Sequence, residues 1–495
     1  MRSFYLFWLD LLAPRCSGLL VRAGSSVRIG RHRHPVLLKG SPKLSSILII
    51  GGGLAGLSCA WRLSRAGHDV EVLERDAEPG GRLRSERLDE FRLDWGAPFL
   101  RSGDRNLHGL ARTLDLEQEI RPLGPPGFAT LRNGRLEAFD FGGRSERGPE
   151  KWKERWERWR GPRLSGAARM RLLRLAALLR RRRRWLEPLR PERAAPLEQE
   201  EGLADLAGLV GGELLDAVVE PVLRLACDAE LDELSGAFTL LALHAADRGF
   251  VFQCIDGGVG RFTSAFAEGV SLRAGCEVHA VETERSGARV RYRVGSRERS
   301  ALADAVVLAV PGPLIPELCP KLAPAERGFF ESLRYGRRLV CHLVLDEAPS
   351  AASHYALAFP RRPDQPLAWL GFDHLKPGAA PEGRGLLQVH FDEAAASKLW
   401  QASESDLADV IAEQLAHTPI GRVSPRRVFA RRFSLYRRGF PPGSLGRLAA
   451  FLARSERTPR LEFAGDYLIG QRVEGAVTSG MRAASEVLRA IEASA

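Results

Sequence analysis

Apolar positions cluster most tightly at 47–50, where four successive aliphatic residues read as a strand buried on both faces. A glycine-bearing turn and a helix-forming stretch follow, and a second apolar run, 70–73, ends on Glu74. Strand, turn, helix, strand and terminal acid in that order predict a dinucleotide-binding unit of the doubly wound type. Much later, 305–310 reads as a short buried strand stopped by Pro311, and 461–464 as another. The latter leads through a turn at Gly465-Asp466 into a helix running from about Glu474 or Gly475 to Ile491. Between these ends, helices are expected at 213–225, 231–244 and 404–416, and strands at 339–345, 367–372 and 385–391.

The turn chemistry agrees with this pattern. Gly51, Gly53 and Gly56 have the G-x-G-x-x-G spacing. The first glycine permits the tight turn, the second lets backbone approach a pyrophosphate, and the third lets the helix pack against the sheet. Phosphate would then face the helix N-terminus, where N–H groups and the macrodipole favour an anion. Glu74 is placed to accept hydrogen bonds from an adenosine ribose. Downstream, Gly80-Gly81-Arg82 could bring backbone and a forked cation to a second phosphate.

Taken with EPGGRLRSERLDEFRLDWGAPFL and the closing LEFAGDYLIGQRVEGAVTSGMRAASEVLRAI, these segments resemble the flavin-containing amine oxidase superfamily. The superfamily includes amine oxidases, protoporphyrinogen oxidases and phytoene desaturases. The resemblance implies an α/β fold in which a Rossmann-type FAD-binding domain is interleaved with a mixed α+β substrate domain. It also implies noncovalent FAD, since the closing segment has no cysteine for a flavin thioether. Contacts are implied around the turn at Gly51, Gly53, Leu54, Ala55 and Gly56, and at Glu74 with Arg75 beyond it. Gly81, Arg82, Gly96 and Ala97 would pass along the cofactor, and Val278 would touch adenine through its backbone. In the closing motif the implied residues are Gly465, Asp466, Glu474, Gly475 and Ala476, with the last helix aimed at the flavin pyrimidine.

The substrate is addressed by departures from the family pattern. Arg472 stands where many amine oxidases of the family carry a tyrosine of the amine cage, and it would favour an anionic or carboxylated substrate over a cation. Arg101, five residues beyond Gly96, could pair with a substrate carboxylate. The stretches EPVLRLACDAELDELSGAFTLLAL and GGVGRFTSAFAEGV resemble protoporphyrinogen oxidases and related desaturases. An apolar, carboxylated small molecule, oxidised by hydride transfer to flavin N5 with dioxygen as the candidate acceptor, is therefore the leading expectation. An amine oxidase, an isoprenoid or carotenoid desaturase, and a non-redox escort protein on the same fold are the alternatives. No residue is assigned proton transfer.

Length changes the picture only in requiring more than one core for 495 residues. The FAD domain is expected from 45–105, 250–312 and 455–495, and the substrate domain from 106–249 and 313–454, the first part mainly helical. The seven cysteines are scattered and include no C-x-x-C pair, against a disulfide framework or a metal site and in keeping with a reducing, cytoplasmic setting. No apolar stretch reaches the eighteen or so residues that span a bilayer.

Charge adds one local feature. Residues 151–195 hold sixteen Lys/Arg against four Asp/Glu, so the whole +12 excess of the chain lies there. Trp152, Trp156 and Trp159, then Leu172, Leu175 and Leu179, recur at helical spacing within it. One reading buries the leucines and solvates the arginines; another lays the helices on an anionic membrane. No nucleic-acid motif accompanies the charge, and no such partner is expected. The first 44 residues, basic and broken by Asp10 and Pro14, read as a disordered extension, either a transit peptide or an upstream mis-start.

Overall fold

The computed structural model describes residues 45–493 apart from 125–126, 140–163, 200–205, 228, 230, 248–250, 352–353, 363 and 437–438. The N-terminal extension and the tryptophan repeat at 152–159 lie outside the described residues.

A five-stranded parallel sheet forms around the strand Ser46–Ile50, in the order Ser271–Arg273, Asp69–Leu73, Ser46–Ile50, Ala305–Leu308, Leu461–Phe463. Its central strands are unbroken apolar runs because both faces are covered. Ile47, Ile49, Val72 and Val307 pack with Ala55, Cys59, Ala60 and Leu63 of the helix Leu54–Arg65, and with Ala483, Ala484 and Val487 of the closing helix Val473–Glu492. Leu48, Ile50, Leu73, Val306 and Leu308 face the opposite core. Small residues set how closely the two helices approach: a Cβ on Gly480 would sit 2.1 Å from the Ala55 carbonyl oxygen. A three-stranded antiparallel sheet, Cys276–Glu284, Gly287–Val294 and Arg297–Ala303, links the edge strand back to the centre.

A second large sheet has seven strands in the order Arg427–Tyr436, Gly336–Leu345, Gly385–Phe391, Leu367–Phe372, Ala356–Ala358, Phe128–Arg132, Arg135–Phe139. All its pairs are antiparallel except Ala356–Ala358 with Phe128–Arg132. One face packs on the helix Glu404–Ala416 through Leu407, Ile411 and Leu415. On the other, Val340, Val344 and Leu386 meet Phe91, Leu93 and Trp95 of the hairpin Leu83–Leu88/Phe91–Gly96.

Among the described residues of 106–249 helices predominate, but short strands interrupt them. Asn133 and Gly134, both at positive φ, close a hairpin that adds two strands to the large sheet. The helix expected at 213–225 is preceded by a short helical stretch from Leu206, separated from it by a kink at the non-helical Gly211, and passes through a π-helical turn, Leu215–Val219, before Glu220–Cys227. The one expected at 231–244 is a short 3-10 turn, Leu231–Glu233, followed by the helix Gly236–Asp247. In the basic segment, the helix Gly166–Arg182 buries Leu175 and Leu179 and half-buries Leu172. Among the described residues no helix is long and apolar enough to cross a membrane.

Candidate active site

Three distant segments meet at the C-terminal edge of the parallel sheet. Gly51, at φ +107°, turns the chain out of the first strand, its N–H donating to the Leu73 carbonyl at 2.9 Å. Gly56 allows the following helix to close on that turn: a Cβ there would lie 2.0 Å from the Gly51 carbonyl oxygen. The Gly80 N–H donates to the Gly52 carbonyl at 2.9 Å, which lays Gly80-Gly81 beside Gly53. Gly53 itself precedes the helix with ordinary extended backbone and no side chain capping the first turn, and a Cβ on it would meet nothing within 4 Å. The helix N-terminus, with Leu54 and Ala55 in its first turn, therefore faces open space walled by Gly81.

Glu74 is buried, and its carboxylate accepts the Gly52 N–H at 2.5 Å and the Asp76 N–H at 2.8 Å. Its backbone N–H donates to Arg273 of the edge strand and its carbonyl accepts the Cys276 N–H at the start of the strand Cys276–Glu284, whose register is irregular at 278–280. Arg75 is exposed and 3.5 Å from Asp76.

Arg82 and Asp466, 384 residues apart, form an ion pair at 2.7 Å. The second Asp466 oxygen accepts the Tyr335 hydroxyl at 2.7 Å. The Arg82 guanidinium is pushed above its ordinary value by Asp466 and Tyr335, against the opposing effect of burial. Gly96 holds the chain against Arg82, whose carbonyl also accepts the Ala97 N–H at 3.2 Å. In the closing motif the Gly465 N–H donates to Ser479, and Gly475 packs against the Gly470 carbonyl. Glu474 turns its carboxylate to the start of the helix Arg105–Thr113, accepting the Asn106 and Leu107 N–H groups at 2.9 Å each. Gly475 and Ala476, with no side-chain cap ahead of them, form the first turn of the closing helix.

Next to this edge lies a cleft of about 560 Å³, open solvent at its mouth included. Gly96, Ala97 and Val473 line it on the sheet side; Phe99, Leu225 and Trp369 make it apolar. Among the described residues its charged lining is four arginines, Arg101, Arg224, Arg338 and Arg472, and one acid, Asp104. Arg472 is 3.7 Å from Asp104, which also accepts the Arg101 backbone N–H at 3.3 Å. Burial and the neighbouring Arg472 push Arg101 down to about 9, with Asp104 opposing.

The profile of the flavin containing amine oxidoreductase family matches residues 54–488. The chain belongs to that family. L-Amino-acid oxidase from Mus musculus is 40% identical over 83 residues, 16% of this chain and 13% of that protein. The Trimeresurus stejnegeri L-amino-acid oxidase is 45% identical over 53 residues, 11% and 10%. The chain thus matches only about a tenth of the length of these relatives. A putative protoporphyrinogen oxidase from Exiguobacterium superposes with TM-score 0.66 at 17% identity, covering 90% of this chain and 99% of that one. A triple mutant of putrescine oxidase gives 0.70 at 17% identity, and cyclohexylamine oxidase from Brevibacterium oxydans 0.69 at 20%, with the same coverage. At these identities the likeness is one of fold.

As a family member the chain is an FAD-dependent oxidoreductase. Its residues fit the cofactor: the space in front of Gly53, the uncapped helix start and Gly81 would hold the pyrophosphate, and Glu74 the ribose. Gly96, Ala97 and the start of the closing helix would border the flavin. FAD supplies a hydride acceptor when bound. Beside that position the chain's own residues supply the apolar wall of Phe99, Leu225 and Trp369 and the arginine-rich lining of the cleft.

Reading the chain alone misses Asp104, Arg224, Tyr335, Arg338, Trp369 and Tyr436 at this site. None lies in a glycine motif. Alternation was the one available signal, since Arg337 is exposed and Arg338 buried on the same strand.

Glu474 also yields a pH prediction. Burial first, then Asp104, push its carboxyl from 4.5 up to about 7, despite the two N–H donors. The folded state thus holds the proton more firmly than the unfolded one, and stability from this group falls as pH rises through that window. The Tm advantage of wild type over Glu474→Gln should be smaller at pH 8 than at pH 5; a gap independent of pH would contradict the assignment.

Proposed function

We propose that the enzyme oxidises a small, largely apolar substrate bearing a carboxylate, in the manner of a protoporphyrinogen oxidase, with dioxygen as acceptor. The observation that carries this reading is the cleft lining: apolar walls with Arg101 and Arg472 held together around one aspartate. Burial and the neighbouring Arg472 lower Arg101, and a substrate anion would offset both, whereas a simple diamine would meet, among the described lining residues, only cations beyond Asp104. A carboxylated amine is the second reading, favoured by Asp104 itself, whose buried carboxylate could receive an ammonium group.

The test is anaerobic bleaching of the flavin absorbance by protoporphyrinogen, L-phenylalanine, putrescine and phytoene. Bleaching by either carboxylated compound supports the proposal; bleaching by putrescine or phytoene alone overturns it. With the active compound, Arg472→Met should lower kcat/KM by about 10- to 100-fold, the loss expected for a charged hydrogen bond worth ~1.5–3 kcal/mol.

Peripheral contact with an anionic bilayer belongs to the same proposal. On the helix Gly166–Arg182, Met170 and Leu173 are 55% and 36% exposed amid the exposed Arg169, Arg174, Arg180 and Arg181. Arginines around an exposed apolar pair suit a headgroup layer. The protein should co-sediment with phosphatidylserine-containing vesicles and not with pure phosphatidylcholine, and Met170→Asp/Leu173→Asp should abolish this. Equal binding to both vesicles would refute it.

A further inference from the structure

The arginines of the cleft are not held alike. Arg338 is 4% exposed, and one of its terminal nitrogens donates to His390 Nδ1 at 2.6 Å. A ring nitrogen that accepts is unprotonated, so the His390 proton is on Nε2. That Nε2–H faces Gln388 Oε1 at 3.0 Å, and the Gln388 amide nitrogen donates to the backbone carbonyl of Asp94. Every link has one compatible direction: guanidinium to imidazole, imidazole to amide, amide to peptide. The imidazole is also stacked on Trp369 at 3.8 Å and 12°, and Trp369 lines the cleft. On its other side the Arg338 guanidinium lies 4.8 Å from the Tyr436 ring. Burial, then the Arg338 charge, hold His390 well below the usual histidine range, in agreement with a neutral ring.

The chain of donors ends on the peptide that leads through Trp95 into Gly96-Ala97, the cleft wall nearest the flavin position. Arg338 is therefore oriented relative to that wall by a directional network inside the large sheet. Arg472, at the start of the closing helix, is 25% exposed in its side chain and paired with Asp104 only at 3.7 Å. A guanidinium whose rotamer is already fixed loses little entropy on binding a carboxylate.

We propose that Arg338 is the specificity-determining residue that receives the substrate carboxylate, with His390 and Gln388 as positioning residues that aim it. The proposal rests on the carboxylated-substrate reading and names the group within the cleft that enforces it. Arg338 would contact substrate; His390 and Gln388 would act only through it.

Benzoate serves as a carboxylate probe and benzamide as its neutral isostere, each titrated against the FAD-loaded enzyme and read from the flavin spectrum. Wild type should bind benzoate more tightly than benzamide. Arg338→Lys keeps the charge but loses the planar fork, and should weaken benzoate about tenfold or more while leaving benzamide within about twofold. His390→Leu should weaken benzoate similarly, and His390→Asn, which restores an acceptor toward Arg338, should recover most of it. The histidine pair keeps the test decisive where the Arg338 variant does not accumulate. Benzoate affinity unchanged in Arg338→Lys, or equal in the two His390 variants, overturns the proposal. Retained binding in Arg338→Lys with loss in Arg472→Met would leave the carboxylate reading standing and remove Arg338 from it. No preference for benzoate in wild type would overturn both.

Discussion

Gly53→Ala should fold as the wild type does and purify with little FAD. The backbone at Gly53 is at φ −74° and ψ 172°, which any residue adopts, so the methyl group strains nothing. It also touches nothing within 4 Å of protein. What it fills is the space ahead of the helix Leu54–Arg65, where a phosphate must come close to backbone. The expected outcome is an unchanged melting temperature of the cofactor-free protein with FAD affinity lowered at least about tenfold, ~1.4 kcal/mol. Flavin content and Tm, measured on the same preparations, check both halves. Gly56 differs: any side chain there must displace the Gly51 carbonyl, so Gly56→Ala should reduce both quantities. Full flavin content in Gly53→Ala would remove the pyrophosphate from this turn.

Lys376→Met, in the turn between the strands Leu367–Phe372 and Gly385–Phe391, should cause a large loss of stability. The Lys376 ammonium is 2.8 Å from Asp94 and 3.0 Å from Asp373, and all three side chains are at most 1% exposed. Burial alone would lower the lysine, but the two aspartates outweigh it and hold Lys376 above its ordinary value. The same pairing holds Asp373 below its own, against the opposing effect of burial. Asp94 also accepts Ser85 at 2.6 Å and the Val259 N–H at 3.2 Å, and Asp373 accepts Tyr355 at 2.8 Å. Removing the cation leaves two carboxylates in a dry interior, a change that costs ~3–5 kcal/mol in comparable buried pairs. Urea unfolding at neutral pH reads this loss directly. Lys376→Met/Asp373→Asn should regain part of it, since one of the two buried charges is then gone. Because Asp94 precedes Trp95-Gly96-Ala97, flavin content should fall with stability; a full FAD complement in a strongly destabilised Lys376→Met would uncouple this network from the cofactor wall.

The parallel sheet was legible because local physics and tertiary role coincide. The run at 47–50 is covered on both faces and so has no polar alternation, and Gly51, Gly53 and Gly56 are required within one turn of chain. The closing helix was legible by period, to within two residues of its start and one of its end. The hairpin at Asn133-Gly134 carried a strong turn signal that a helical reading of the segment passed over. The strand Arg427–Tyr436 was hidden differently: it is an edge strand with arginines at 427, 431 and 432, and its half-buried positions break simple alternation.

The candidate site divides along the same line. By itself the sequence determined a dinucleotide turn, an acid to follow it and a closing helix, because each depends on residues within a few positions of one another, where backbone geometry and spacing act alone. Only the tertiary structure decided that Arg82 pairs with Asp466, that Glu474 caps the helix Arg105–Thr113, that Lys376 bridges Asp94 and Asp373, and that Arg338 lines the cleft while donating to His390. Apart from Lys376 and Asp373, which are three residues apart, these partners are 52 to 384 residues apart, so no periodicity connects them. Their association is set by which sheet faces exclude water, and a buried charge takes whichever partner the packing brings within reach.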